Sequence, residues 1–127
     1  MNLANILITG SSGLVGGPLV TKLLSKSNLI VGLDPVINSE SNEKYKHISN
    51  SLKSVEEITS LLKKYDITKI IHTGGISGPM LANENPNLII ENNIFFTMYL
   101  IEAARIYKKI KRFIFCSSIS AYGELAE

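Results

Sequence analysis

The stretch Ile6-Leu7-Ile8-Thr9-Gly10-Ser11-Ser12-Gly13-Leu14-Val15-Gly16 carries a short apolar run straight into a turn with glycine at every third position. Few folds accept such a segment, and it reads as strand, anion-binding turn and helix. Gly10 allows a sharp turn at the strand end, Gly13 lets a ligand lie against bare backbone, and Gly16 lets the first helical turn pack closely. Unpaired amides and a partial positive charge at a helix start favour an anion, so the turn suits a diphosphate. A second apolar run, Leu29-Ile30-Val31-Gly32-Leu33, ends at Asp34, 18 residues after Gly16. A dinucleotide-binding unit needs an acid at about that distance to hold ribose hydroxyls. The turn lacks the Gly-Lys-Ser/Thr ending of a P-loop, whose lysine and hydroxyl serve phosphate and magnesium.

Composition narrows the class of chain without adding a site. With 45% hydrophobic and 19% charged residues in 127, the chain has the balance of one α/β domain or part of one. A net charge of +2 is too small to imply a nucleic-acid or membrane partner. A single cysteine, Cys116, excludes an internal disulfide framework and suits a reducing cytoplasm. The first charged side chain is Lys22, so a signal peptide's basic start is missing, and no apolar run is long enough to span a bilayer. No second histidine or cysteine stands at metal-ligand spacing from His72, so no metal is expected.

Taken in order, residues 4–9 predict the first strand and residues 14–26 the first helix. Pro18 would fall past the first turn of a helix starting near Gly13, which predicts a distorted opening. Residues 35–45 are polar and predict an exposed, mobile loop. Lys46-His47-Ile48 reads as a third strand, and Ser54-Val55-Glu56-Glu57 has the spacing of a capping box that starts a second helix. Lys69-Ile70-Ile71-His72-Thr73 is the fourth strand, with His72 expected as a hydrogen-bonded core residue. A loop opened by Gly74-Gly75 runs through Gly78-Pro79 to Pro86. Residues 87–109 form a long helix, apolar on more than one side and therefore expected to be buried twice, with a solvated basic cluster at its end. Phe113-Ile114-Phe115-Cys116 is the fifth strand, in which Cys116 packs as a small hydrophobe.

Alternating strands and helices predict a parallel, doubly wound α/β sheet of Rossmann type, incomplete, with strand order 3-2-1-4-5. That order brings Thr9, Gly10, Asp34, Thr73, Gly74, Gly75, Ser117 and Ser118 to one rim at the carboxyl ends of the strands.

With these residues in hand, the chain resembles the extended short-chain dehydrogenase/reductase family, the NAD-dependent epimerases and dehydratases of nucleotide sugars. Residues 9–16 are similar to the family's T-G-x-x-G-x-x-G loop, and Ile71-His72-Thr73-Gly74-Gly75 resembles its H-x-A-A/G strand end. Asn93-Ile94-Phe95-Phe96-Thr97 resembles N-V-x-G-T, with Phe96 in place of glycine. Phe113 to Gly123 resembles the strand and loop that end in S-S-x-x-x-Y-G.

The resemblance implies NAD as cofactor. Its expected contacts are Thr9, Gly10, Ser11, Ser12, Gly13, Leu14, Val15 and Gly16 in the loop, then Asp34, Ser51, Leu52, Thr73, Gly74, Gly75, Asn93 and Ser117. From the residues alone, Asn93 reads equally as a tie between a loop and its helix. Ser51 stands, within Asn50-Ser51-Leu52, where the family has an aspartate on the adenine amino group. Ser118 takes the position of the catalytic serine or threonine. Tyr122 is followed four positions on by Ala126 and is not the family's catalytic tyrosine. Residues 1–127 are thus expected to be the N-terminal part of an NAD-binding domain. The remaining strands, a catalytic Tyr-x-x-x-Lys helix and the part that grips a nucleotide-sugar substrate would lie beyond it. Two such chains are expected to pair as a homodimer through the 87–109 helix, and the isolated chain is expected to be inactive. The other reading is a non-catalytic dinucleotide-binding regulatory or interaction module.

Overall fold

A computed structural model describes residues 3–49, 51–77, 85–118 and 122–123. Asn50, the Gly78-Pro79 stretch and the Ile119-Ser120-Ala121 part of the last motif lie outside the described residues. Five strands, β1 (Ala4–Thr9), β2 (Ser27–Leu33), β3 (Tyr45–Ile48), β4 (Lys69–His72) and β5 (Arg112–Phe115), form one parallel sheet in the order β3-β2-β1-β4-β5. The expected order is the observed one. Parallel strands buried on both faces need apolar residues in succession rather than in alternation. Ile6, Leu7 and Ile8 of β1 meet that need.

Successive side chains of β1 go to opposite faces. Leu7, Val31, Leu33 and Ile70 pack under α2 (Val55–Lys64) and α4 (Phe96–Tyr107), through Ile58, Leu62, Leu100 and Ala103. Ile6, Ile8 and Ile30 pack under α1 (Gly16–Leu23), against Val20 and Leu24. The expected N-cap is made, with the Ser54 hydroxyl accepting the Glu57 amide at 3.2 Å, but the return bond shifts by one residue: a Glu57 oxygen accepts the Lys53 amide at 2.7 Å rather than that of Ser54.

Four further expectations change. Residues 10–15 form turns and regular helix begins only at Gly16, so Pro18 sits in the first turn, where its missing amide has no obligatory partner. The polar loop after β2 is exposed but carries its own bonds. Asp34, Asn38, Glu40 and Asn42 each accept the amide two residues on, and Asn38 donates to the Ser11 carbonyl at 2.6 Å. The long helix is three segments: α3 (Pro86–Ile89), a wide-turn π segment (Ile90–Phe95) and α4. It is buried on one side only, with Ile94, Met98 and Ile101 exposed, because the sheet and α2 supply cover for one face. Finally, β5 stops at Phe115, and Cys116 lies beyond it and is exposed rather than packed.

The basic cluster is paired as well as solvated. Arg105 holds Glu102 at 2.6 Å, and Lys109 reaches Asp66 at 3.1 Å, where the Tyr107 hydroxyl also donates. Asp66 thereby ties the exit of α2 to the exit of α4.

Candidate dinucleotide-binding site

Register sets the site. Thr9 pairs with Leu33 on one side and His72 on the other, so the next residues along the three strands, Gly10, Asp34 and Thr73, leave the sheet side by side. Gly10 turns the chain with φ +68°, a left-handed conformation that side chains disfavour. Its α-carbon lies so near the β4 exit that a Cβ would stand 2.6 Å from Gly74. Gly16 is needed for space: a Cβ there would meet the Gly10 carbonyl at 2.0 Å and Thr73 Oγ1 at 2.9 Å. It is thus the phosphate turn and the β4 exit, not the strand face, that Gly16 packs against.

An open cleft of about 260 Å³ follows these exits. Thr9, Gly10, Gly13, Asp34, Ser51, Leu52, Thr73, Gly74 and Gly75, all among the expected contacts, line it. The fit to a dinucleotide is direct. At Gly13 an added Cβ would meet only the Gly10 carbonyl, at 3.2 Å, and the Leu14 amide has no partner among the described residues. Asp34 receives the Ser12 amide at 3.1 Å and the Val36 amide at 2.9 Å, one on each oxygen. A carboxylate has about four acceptor positions, so both oxygens keep capacity for ribose hydroxyls.

Other expected contacts stand behind the cleft or away from it. Ser11 is buried, Leu14 and Val15 are exposed on the outside of the turn, and Gly16 is buried behind Gly10. Asn93 does tie a loop to its helix: its side-chain oxygen accepts the Ile76 amide at 2.7 Å and its nitrogen donates to the Ile76 carbonyl at 2.8 Å. Ser117 and Ser118 are exposed at the β5 exit and do not line the cleft.

His72 is the hydrogen-bonded core residue that its strand position predicts, and it joins the two walls. Thr97 Oγ1 donates to the Asn93 carbonyl at 2.7 Å, so it accepts from His72 Nε2 at 2.9 Å. His72 Nδ1 then accepts from the Thr9 hydroxyl, which in turn accepts the Gly74 amide at 3.3 Å. Every donor in this chain of bonds has one acceptor when the imidazole is neutral. Burial holds the His72 pKa down, to about 4, which keeps it so.

Sequence reasoning missed a second cluster behind Asp34. His47 Nε2 donates to the Asp34 carbonyl at 3.1 Å, and Tyr45 bridges His47 Nδ1 at 3.0 Å to Ser11 Oγ at 3.2 Å. Burial pushes the Tyr45 phenol above its ordinary pKa. Room for that phenol exists because β2 carries Gly32, where a Cβ would stand 2.1 Å from it. A glycine inside a strand was the available signal. Asn92 of the π segment and Phe96 of the helix after it also line the cleft.

Two tyrosines do have lysine four residues later: Tyr65 with Lys69 and Tyr107 with Lys111. Each pair straddles a helix end and the approach to a strand, at the amino ends of β4 and β5. The cleft is at the carboxyl ends, so neither pair reaches it.

Comparison with known proteins gives the same direction. Residues 6–127 match the model of the NAD dependent epimerase/dehydratase family. A UDP-glucose 4-epimerase of Klebsiella pneumoniae is 28% identical over 129 residues, which cover 94% of this chain and 92% of that protein. The UDP-glucose 4-epimerase of Thermotoga maritima, solved with UDP-glucose, superposes with a TM-score of 0.82 at 24% identity, over 97% of this chain and 41% of that one. The UDP-glucose 4-epimerase of Stenotrophomonas maltophila, solved with NAD and formylated UDP-arabinopyranose, gives 0.82 at 18% identity, over 98% and 40%. The chain thus spans about 40% of the length of these two solved relatives.

Proposed function

The chain belongs to the NAD-dependent epimerase/dehydratase family, and on that premise we propose that it is the cofactor-binding part of a nucleotide-sugar epimerase or dehydratase. The observation that carries this reading is the single cleft running from Gly13 past Asp34 to Ser51. When bound, NAD supplies a hydride acceptor and, on the return, a hydride donor. The residues of this chain bind and orient. Amides of the turn after Gly10 neutralise the diphosphate, and Asp34 accepts the ribose hydroxyls. Asn93 holds the 73–77 wall through Ile76.

Asp34 also excludes a 2′-phosphate, since no Lys or Arg occurs from Pro35 to Glu43 to neutralise it. A unit of like-charge repulsion is worth about 4 kcal/mol at 4 Å and an effective dielectric of 20. Ser118, directly beyond β5, orients a sugar hydroxyl or carbonyl in the longer protein. Taking up the hydroxyl proton needs a base, and an unperturbed tyrosine near 10 serves at neutral pH only beside a positive charge. The 127-residue chain therefore binds NAD without turning over a nucleotide sugar. Its exposed face of Ile94, Met98 and Ile101 pairs two copies, a state that light scattering reads directly.

Calorimetric titration with NAD and NADP tests the binding, and equal or tighter binding of NADP would sink it. Assays of the short chain beside a longer gene product, and of Ser118→Ala in the latter, test the chemistry. Binding without turnover in the longer protein would instead favour a non-catalytic module.

A further inference from the structure

We propose that the base end of the cleft accepts purines with either an amino or a keto group at position 6, and that Ser51 is the residue that sets this tolerance. The inference rests on the NAD reading above and deepens it.

Direction comes first. With the diphosphate at the Gly10–Gly13 turn and the ribose at Asp34, the attached base continues toward Pro35, Ser51, Leu52, Asn92 and Phe96. Among the described lining residues, three side chains at that end carry polar atoms. Asp34 is fixed at the ribose by the Ser12 and Val36 amides. Asn92 gives one of its two amide protons to the Leu88 carbonyl at 2.7 Å, within its own helix, and its remaining N–H and side-chain oxygen favour neither an amino nor a keto group. Ser51 is exposed, and its hydroxyl has no partner among the described residues.

A hydroxyl rotates, gives one hydrogen bond and accepts two. It accepts from the 6-amino group of adenine and donates to the 6-oxo group of hypoxanthine with equal ease. A carboxylate at this position would accept only, and would leave a keto oxygen facing a like partial charge. Discrimination by hydrogen bonding arises when one ligand leaves a polar group unpaired, and Ser51 leaves neither unpaired. The surroundings impose no second filter. A hollow of about 520 Å³ lined by Lys53, Glu91, Phe95 and Tyr99 also borders Ser51, Leu52, Asn92 and Phe96, so among the described residues no wall closes the far edge of the base. Leu52 and Phe96 contribute apolar surface, which is indifferent to the substituent.

The test is calorimetric titration of the 127-residue chain with NAD and with nicotinamide hypoxanthine dinucleotide. The two dissociation constants are expected to agree within about threefold. Ser51→Asp should restore a preference for NAD of about tenfold or more, and Ser51→Ala should weaken both nucleotides alike. Circular dichroism confirms that both variants fold. A tenfold preference for NAD in the unaltered chain, an unchanged ratio in Ser51→Asp, or no effect of Ser51→Ala would overturn the inference while leaving NAD binding intact. Failure of either dinucleotide to bind the unaltered chain would overturn the cofactor reading and this inference together.

Discussion

The rim of β1, β2 and β4 and the outer strand β5 belong to one sheet, yet they are held in different ways. In β1 every side chain from Ile6 to Thr9 is buried, and the exits are locked by Gly10 against Gly74 and by Thr9 against His72. In β5 Ile114 and Phe115 are 43% and 52% exposed, and among the described residues β4 alone supplies the ladder. The nucleotide rim is thus specified by contacts this chain makes with itself. Ser117 and Ser118 follow the outer strand, are exposed and stand away from that rim. Among the described residues the sheet is thus closed over on one side of β4 and left half exposed on the other.

The sharpest way to break this contrast is to change one side chain on each side of it. Gly16→Val puts its Cβ into the Gly10 carbonyl, so the turn or the helix must shift. We expect a loss of about 3 kcal/mol of stability and of measurable NAD binding, by urea unfolding and calorimetry. Ile114→Val at the outer strand should cost less than about 0.5 kcal/mol. Comparable losses would mean that the outer strand is as tightly packed as the rim.

Acid distinguishes the two regions next. His72 is buried and neutral, with a pKa near 4 against 6.5 for a free imidazole. Between those values the unfolded chain binds the extra proton, so stability falls as pH drops from 6.5 to 4. The shift corresponds to about 3 kcal/mol at most. Below pH 6.5 urea midpoints should decline in the unaltered chain. In His72→Gln this component should vanish, whereas an identical decline in both would assign it to the carboxylates.

How much of this was legible beforehand depended on where each residue's constraint came from. Asp34 and the 10–16 turn were readable because strand, turn and acid lie close in sequence and obey local backbone rules. His72 was readable as core because its strand is apolar throughout. Tyr45 was not, since its site is made by Gly32 and Ser11 from two other elements. Cys116 and the second face of the long helix were misread for a common reason. Apolar residues in a strand or helix predict burial, but the cover must be supplied by another element, and among the described residues none covers them. Pro18 was misread by three residues of helix start, a boundary that local pattern leaves loose.

Asp34 sharpens the comparison from the ligand's side. Asp34→Ala removes the carboxylate proposed to accept the ribose hydroxyls and also frees the Ser12 and Val36 amides. Charge-assisted bonds of this kind are worth roughly 1.5 to 3 kcal/mol, so NAD affinity should fall about ten- to a hundredfold. The penalty against NADP should shrink at the same time, because the repelling charge is gone. Calorimetry with both nucleotides reads the two effects, and an unchanged preference would place nucleotide selection elsewhere in the cleft.

A small effect on stability is also expected of Ile114→Lys. Ile114 pairs with Ile71 across β4 and leaves nearly half its surface in solvent, so little burial is lost on substitution. A change within about 0.5 kcal/mol is expected by urea unfolding. The same substitution acts strongly on association. An edge strand offers unpaired amides and carbonyls to another chain, and a charge on the edge is a common natural means of blocking that. Ile114→Lys should therefore lower the apparent mass in light scattering at high concentration if chains meet through β5. It should leave that mass unchanged if they meet through the face of Met98 and Ile101, for which Met98→Lys is the matching variant. A stability loss above about 1 kcal/mol would show that Ile114 is covered after all, and the contrast between rim and outer strand would fall with it.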